Sequence, residues 1–175
     1  KINGESMSGT ILTPNAIWNN FYIPDKLGAE IFNERKVDGV IFEDVHIEGR
    51  KIGDDTVNIY ALLARKKKDV QGPAILLLQN FHNCNNETLI LDLVKKGYAV
   101  LSVDIAGEKE GKENFTVYPE AIKYARYEEA KEELYSVKDD AKKTCWYEWG
   151  ATTRYALKFL KDLQGVTKVG GFAVA

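Results

Sequence analysis

Two side chains capable of catalytic chemistry lie close together in the polar segment that follows residue 79. His82 has the residue type of a general acid or base near neutral pH, and Cys84 has that of a nucleophile. However, no sequence neighbour would lower the pKa of the Cys84 thiol, and His82 has no partner nearby. The simpler interpretation is that His82 is a turn residue held by local backbone groups. His46 falls in an alternating segment and is predicted to lie at the surface.

The elements around this segment form a predicted crossover unit. Residues 74–78 are an unbroken apolar run, typical of a strand covered on both faces, and residues 98–103 are a second such run. Between them, residues 88–96 carry apolar side chains at helical spacing and stop at Gly97. The order strand, helix, strand predicts a right-handed βαβ unit and therefore parallel pairing.

The segments before this unit have a different period. Residues 40–47 and 57–63 alternate between apolar and polar side chains around a turn-rich stretch, which predicts an antiparallel hairpin. Residues 1–36 are predicted to form a strap or lid, with a short helix over residues 27–34. We therefore expect an α/β fold in residues 37–175: a mostly parallel sheet with an antiparallel N-terminal hairpin, flanked by helices.

The second half of the chain adds one long helix and one strand. Thr144 to Leu163 has the strongest helical period, and Trp146 and Trp149 on it are predicted to be core residues. The connection from Asp104 to Lys112 contains glycines, but their spacing is not that of a phosphate-binding loop. Lys168–Ala175 is an apolar strand whose unpaired edge predicts self-association.

Composition excludes several classes of function. The chain has 24 basic and 26 acidic residues, so no excess positive charge is available for binding nucleic acid. No apolar run approaches the roughly 20 residues that cross a bilayer, and we expect a soluble chain, with the cytoplasm slightly favoured over secretion. The 2 cysteines are too few for a disulfide framework and are predicted to be free thiols. No metal site or cofactor is predicted.

Four strings, taken with the order of the elements, resemble a known family. They are PAILLLQNFHNCNNET, GYAVLSVDIAGEKEGKE, YPEAIKYA and CWYEWGATTRYALKFL, the last leading into TKVGGFAVA. The chain resembles the N-terminal half of the α/β-hydrolase superfamily, in the carbohydrate-esterase branch that includes acetyl-xylan esterases, cephalosporin deacetylases and glucuronoyl esterases. The likeness covers residues 37–175, and the domain is expected to be incomplete at its C-terminal end.

This resemblance implies roles for two sets of residues. In such hydrolases the turn after the first buried parallel strand supplies an oxyanion-hole N–H. That turn corresponds here to Asn80, Phe81, His82, Asn83 and Cys84, with Asn83 where the family usually has glycine. The nucleophilic serine belongs at the sharp turn after the third strand, the nucleophile elbow, and the two possible registers make Ala173 or Ala175 the elbow position. An alanine methyl group cannot attack a carbonyl, and no chain follows to supply the acid and histidine of a triad.

Several explanations of the missing serine remain open. The chain is a fragment of a longer esterase, a degenerate member without catalysis, or a clipped protein with serine replaced by alanine. Of these we favour the fragment, whose full-length parent would act on carbohydrate esters. The alternative from another class is a noncatalytic α/β binding or interaction module whose sheet is completed by another chain. A nucleotide-binding domain is disfavoured, because no glycine-rich turn joins a strand to a helix.

Overall fold

The alternating and continuous apolar segments assemble into one mixed sheet. The structure is a computed structural model that describes residues 13, 15–78, 86–136 and 140–173. Its strands are β1 (Ala29–Val37), β2 (Val40–Ile52), β3 (Asp55–Arg65), β4 (Gly72–Leu78), β5 (Ala99–Val103) and β6 (Val166–Ala173). Its α-helices are α1 (Glu87–Lys95), α2 (Tyr127–Ala130) and α3 (Cys145–Asp162), and short 3-10 helices span Ala16–Trp18, Glu120–Ala125 and Ala141–Lys143.

The strand order is β1-β2-β3-β5-β4-β6, and the sheet is not closed. The pairings β1–β2, β2–β3 and β3–β5 are antiparallel, whereas β4 pairs in parallel with both β5 and β6. The predicted α/β fold class is confirmed, with antiparallel strands on the N-terminal side and the crossover unit β4-α1-β5 beside them. The sheet is mixed and not mostly parallel, because β1 adds a third antiparallel strand to the predicted hairpin. Among the described residues, no strand pairs with the outer side of β6.

The helix predicted over residues 27–34 is wrong. Ala29–Val37 forms the edge strand β1 instead and pairs with β2. Ile31 and Phe32 are adjacent, and the register shifts between Ile31 and Asn33, so this strand lacks the apolar–polar alternation that identified its neighbours. The proposed boundary between residues 36 and 37 remains a prediction.

The two faces of the sheet are covered by different helices. Helix α3 packs on the face that contains Val45, Ile59 and Leu101, together with the segment that holds Tyr118. The shorter α1 packs on the opposite face with Ile90 and Val94, against side chains of β2 to β5. The alternation of side chains along β2 and β3 therefore separates two cores.

The long helix predicted over residues 144–163 is confirmed. The Thr144 hydroxyl accepts a hydrogen bond from the backbone N–H of Tyr147 at 3.3 Å and so caps the N-terminus of α3. Trp149 is buried, and its indole N–H donates to the carbonyl of Ala125 at 2.7 Å. Trp146, by contrast, is 53% exposed, so its predicted place in the core is wrong. Both tryptophans follow the helical period, but Trp146 lies at the margin of the apolar face.

A close backbone approach fixes the start of β6. Gly165 has a φ of +83°, and a Cβ built there would overlap the carbonyl of Val70. The carbonyl of Gly165 in turn accepts a hydrogen bond from Gly72 N–H at 3.1 Å. Because only glycine tolerates both conditions, this residue sets the point at which the chain leaves α3 and enters the sheet beside β4.

Replacing Gly165 by alanine is expected to lower the free energy of unfolding by about 2–4 kcal/mol, because it adds backbone strain and a steric overlap. Urea unfolding followed by circular dichroism would measure the change. Gly170→Ala is the matched control, since a Cβ at Gly170 meets no atom within 4 Å. We expect the control to change stability by no more than about 1 kcal/mol. Equal effects of the two substitutions would contradict this account of Gly165.

Candidate functional site

The carboxyl ends of the three parallel strands meet at one edge of the sheet. Leu78 at the end of β4 is in register with Val103 at the end of β5 and with Ala173 at the end of β6. In open α/β sheets, ligands bind outside this edge, where loops follow the strands. A ligand site is therefore expected at the carboxyl edge.

The predicted site residues belong to this edge by sequence position. Asn80, Phe81, His82, Asn83 and Cys84 follow β4 and lie outside the described residues, as does Ala175. Ala173 is the last described residue of β6, and its backbone is in register with Leu78. The chain thus brings one of the two elbow positions to the strand end from which the oxyanion-loop candidates continue. The roles of all these residues remain predictions.

Asp104 organises the loop that follows β5. It is 2% exposed, and its carboxylate accepts hydrogen bonds from the backbone N–H groups of Ala106 and Gly107, both at 3.2 Å. The backbone N–H of Thr116 donates to the same carboxylate at 2.8 Å, and the buried Lys112 ammonium forms an ion pair with it at 2.8 Å. Four donors saturate this carboxylate, so its chemistry is that of a structural anchor.

The backbone of Asp104 is fixed just as firmly. Its N–H donates to the carbonyl of Tyr60 at 3.1 Å, and its carbonyl accepts from the Thr116 hydroxyl at 2.6 Å. The Thr116 hydroxyl oxygen in turn accepts from the backbone N–H of Tyr60 at 3.0 Å. The loop from Asp104 to Thr116 therefore extends the pairing of β3 and β5 beyond the last residue of β5.

Tyr118 closes this loop against helix α3. Its hydroxyl donates to the carbonyl of Ile105 at 2.8 Å and lies 3.2 Å from the hydroxyl of Thr152. Burial raises the pKa of the Tyr118 phenol far above its usual value, so this hydroxyl stays protonated. Gly107, with a φ of +78°, lies under the ring, where a Cβ would be 3.1 Å from a ring carbon. Tyr118 therefore holds the loop in position and takes no part in acid–base chemistry.

A cavity of about 380 Å³ opens beside Asp104 on the face of the sheet that α1 covers. Its walls come from β1, β2, β3, the first residue of α1 and the loop after β5. The polar side chains that line it are Asn33, Arg35, Asp44, Tyr60, Glu87, Asp104, Lys112, Glu113 and Asn114. The mixture of carboxylates, cations and amides suits a neutral ligand rich in hydroxyl groups better than a strongly charged one.

A second buried carboxylate lies near the same edge on the α3 face. Glu148 is 1% exposed and is held by the guanidinium of Arg50, whose Nε lies 3.3 Å from Oε2 and whose second nitrogen contacts Oε1. The Tyr124 hydroxyl donates to Oε1 at 3.4 Å. Burial raises the pKa of Glu148, although Arg50 opposes the rise, and burial together with Glu148 raises the pKa of Tyr124 to about 12. The cluster joins β2, a 3-10 helix and α3.

No local sequence pattern identifies the partners of Asp104 and Glu148. The sequence predicts only a long connection at Asp104, although its position at a strand end, followed by Gly107 and Lys112, is a signal of an anchored loop. Glu148 and Arg50 are 98 positions apart, and no local pattern pairs them. His46, predicted to lie at the surface, is half-buried beneath the ring of Phe32.

Other site chemistries are limited in the part of the chain that the structure describes. There, no group of three or more histidine, cysteine, aspartate or glutamate side chains could hold a metal ion. Cys145 is buried in the core at the start of α3. None of the described helices is long and apolar enough to span a membrane.

Comparison with known proteins supports the fold through structure alone. Neither a protein-family profile nor a curated protein sequence matches this chain. Among solved structures, acetyl xylan esterase 1 from Thermoanaerobacterium sp. JW/SL YS485 aligns with a TM-score of 0.60 and 16% identity over 92% of this chain and 50% of the esterase. The acetyl xylan esterase from Paenibacillus sp. R4 aligns with a TM-score of 0.57 and 15% identity over 91% of this chain and 48% of the esterase.

The chain has the fold of these esterases. It spans about half of their length. The predicted likeness to acetyl xylan esterases is thereby confirmed for the fold alone.

Removing Arg50, the ion-pair partner of the buried Glu148 carboxylate, should destabilise the folded chain. We expect Arg50→Ala to lower the free energy of unfolding by about 2–3 kcal/mol, because the buried Glu148 would lose its counter-ion and would have to remain charged without it or take up a proton. The cost falls short of that of a fully buried pair, since the Arg50 side chain is 28% exposed. Thermal or urea unfolding would measure it. The double variant Arg50→Ala/Glu148→Gln is the control and should recover at least half of the loss; no recovery would contradict the stranded-charge explanation.

Proposed function

We propose that this chain forms the oxyanion half of a serine esterase scaffold for carbohydrate esters and is itself inactive. The observation that carries the proposal is the alignment of nearly the whole chain with half of two acetyl xylan esterases. The strand register supports it, because β4, which leads into residues 80–84, lies beside β6, which leads into the elbow positions.

The chemistry of such an esterase needs a serine nucleophile, which neither predicted nucleophile position of this chain provides. A serine hydroxyl attacks the ester carbonyl while a histidine accepts its proton, and backbone N–H groups stabilise the negative charge on the carbonyl oxygen. The turn at residues 80–84 would supply one of those N–H groups. Alanine stands at both possible nucleophile positions, residues 173 and 175. In this proposal the chain stabilises an oxyanion that it cannot generate.

The experiment that tests inactivity is hydrolysis of p-nitrophenyl acetate and of acetylated xylo-oligosaccharides by the purified 175-residue chain. We expect rates equal to the buffer background for both esters, because no nucleophile of the required kind is present. His82→Ala and Cys84→Ala are the control variants. A rate well above background that either substitution abolishes would show that the chain carries its own catalytic machinery, and the proposal would be wrong.

A second candidate function is that of a noncatalytic module whose sheet is completed by another chain. It is favoured by the position of β6, which lies at the edge of the sheet formed by the described strands. An edge strand of this kind offers unpaired backbone groups to a second strand. A second copy of this chain is the occupant we propose.

Self-association through β6 is testable by light scattering coupled to size-exclusion chromatography. We expect the chain to form dimers or larger species, and the double variant Gly170→Glu/Gly171→Glu to shift the population to monomer, because like charges would face each other across the paired edges. Tyr135→Glu, at a position that is 95% exposed and outside β6, is the control and should leave the assembly unchanged. A monomer at all concentrations would rule this interface out.

A further inference from the structure

The α1-side face of the N-terminal strands is only partly covered. Helix α1 packs over Phe42, Leu62 and Val100, whereas the half of this face nearer the carboxyl edge has no helix over it among the described residues. We call this half the open face and define it by the exposed Phe32 and Asn33 and the half-buried His46, together with the buried Asp44 and Tyr60 that contact them. On β2 and β3 its side chains alternate with the core residues of the α3 face.

An aromatic platform lies at the centre of the open face. The ring of Phe32 lies over the imidazole of His46, with centroids 4.4 Å apart and planes tilted by 32°. The ring of Tyr60 is 6.4 Å from each of them. Phe32 is 40% exposed although it packs on both rings. The register shift beside Phe32 turns an apolar ring of an edge strand towards this cluster.

A polar rim borders the platform and is held in position by hydrogen bonds. The amide nitrogen of Asn33 donates to Asp44 at 2.8 Å, and the Tyr60 hydroxyl donates to the other oxygen of the same carboxylate at 2.6 Å. Asp44 and Tyr60 are buried, so this network orients the exposed amide of Asn33. An amide has a second hydrogen and an oxygen with which it can bind a hydroxyl group.

Cavities lie on both sides of the platform. The cavity beside Asp104, of about 380 Å³, contains the ion pair between Arg35 and Glu87, both of which are partly exposed. A second cavity, of about 500 Å³, is lined by His46, Glu48, Asn58 and neighbouring residues. Both volumes fall within the usual range for small-molecule sites, about 300–1,000 Å³.

We propose that the open face binds a saccharide. A pyranose ring presents an apolar C–H face that stacks on an aromatic ring, and it has equatorial hydroxyl groups that pair with planar amide, carboxylate and guanidinium groups. Phe32 provides the stacking surface, and Asn33, Arg35 and Glu87 provide hydrogen-bonding groups on one side of it. The pairing of Arg35 with Glu87 balances their charges, which favours a neutral polyol over a phosphate or a carboxylate ligand.

None of the residues that define this site belongs to residues 80–84, and binding there requires no catalysis. It would hold the carbohydrate part of a substrate beside the carboxyl edge. Only the choice of a xylan fragment as probe rests on the proposed function.

Isothermal titration calorimetry with xylotetraose tests the proposal on the full 175-residue chain. We expect wild-type protein to bind and Phe32→Ala to weaken binding about 2- to 10-fold, the range typical of one aromatic contact. Asn33→Ala should also weaken it. Tyr135→Ala removes an aromatic ring that is 95% exposed elsewhere and should leave the affinity unchanged. An absence of binding up to 20 mM ligand, or equal affinities of wild type and Phe32→Ala, would overturn the proposal.

Ester hydrolysis and the state of assembly separate the saccharide-site proposal from the proposals of inactivity and self-association. Ester hydrolysis that His82→Ala abolishes, together with binding that Phe32→Ala weakens, would refute inactivity and support the saccharide site. Background hydrolysis with no binding would refute the saccharide site alone. If Phe32→Ala converts an assembled wild-type protein to monomer, the open face is an interface between copies, and the saccharide proposal is wrong.

Discussion

The carboxylate of Asp104 is the constraint on which the carboxyl edge of this sheet depends. It lies directly after the central strand β5 and is withdrawn from water, so its charge must be compensated by protein groups. Three backbone N–H groups and the ammonium of Lys112 provide that compensation. Removing any one of these donors would leave the buried Asp104 carboxylate without one of its four hydrogen-bond partners. The loop from residue 104 to residue 116 therefore has little freedom, and the walls of the neighbouring cavity are fixed with it.

A second buried carboxylate is compensated by protein groups on the opposite face of the sheet. Glu148 and Arg50 join the long helix to the hairpin, and Tyr124 brings the connecting segment to the same point. Aromatic packing adds a further layer, because Trp18 stacks on Tyr147 with ring centroids 4.9 Å apart. Helix α3 is thus tied at its N-terminal end, while Gly165 fixes where the chain enters β6. The N-terminal end of α3 and the start of β6, which lead to the predicted elbow positions, are therefore both fixed by contacts between residues far apart in sequence.

Local patterns predicted much of the fold. The hairpin, the crossover unit and the long helix all have apolar spacings that match their secondary structure, and each was found where it was predicted. Failures occurred where tertiary contacts overrode the pattern. β1 was missed because the bulge at Phe32 breaks its alternation and because pairing with β2, which no local signal reveals, makes it a strand. Trp146 follows the helical period but lies at the boundary of the buried face, and periodicity alone does not locate that boundary.

The sequence by itself determined the order of the elements, the balance of charge and the presence of alanine at the two predicted elbow positions. These properties depend on residue identity and on spacing over a few positions. The tertiary structure alone decided which distant groups meet: Asp44 with Asn33 and Tyr60, Glu148 with Arg50, and Phe32 with His46. Their proximity results from strand register and helix packing, and a one-residue shift of register would turn every side chain of a strand to the other face. For that reason the open face, with its aromatic platform and polar rim, has no signature in the linear sequence.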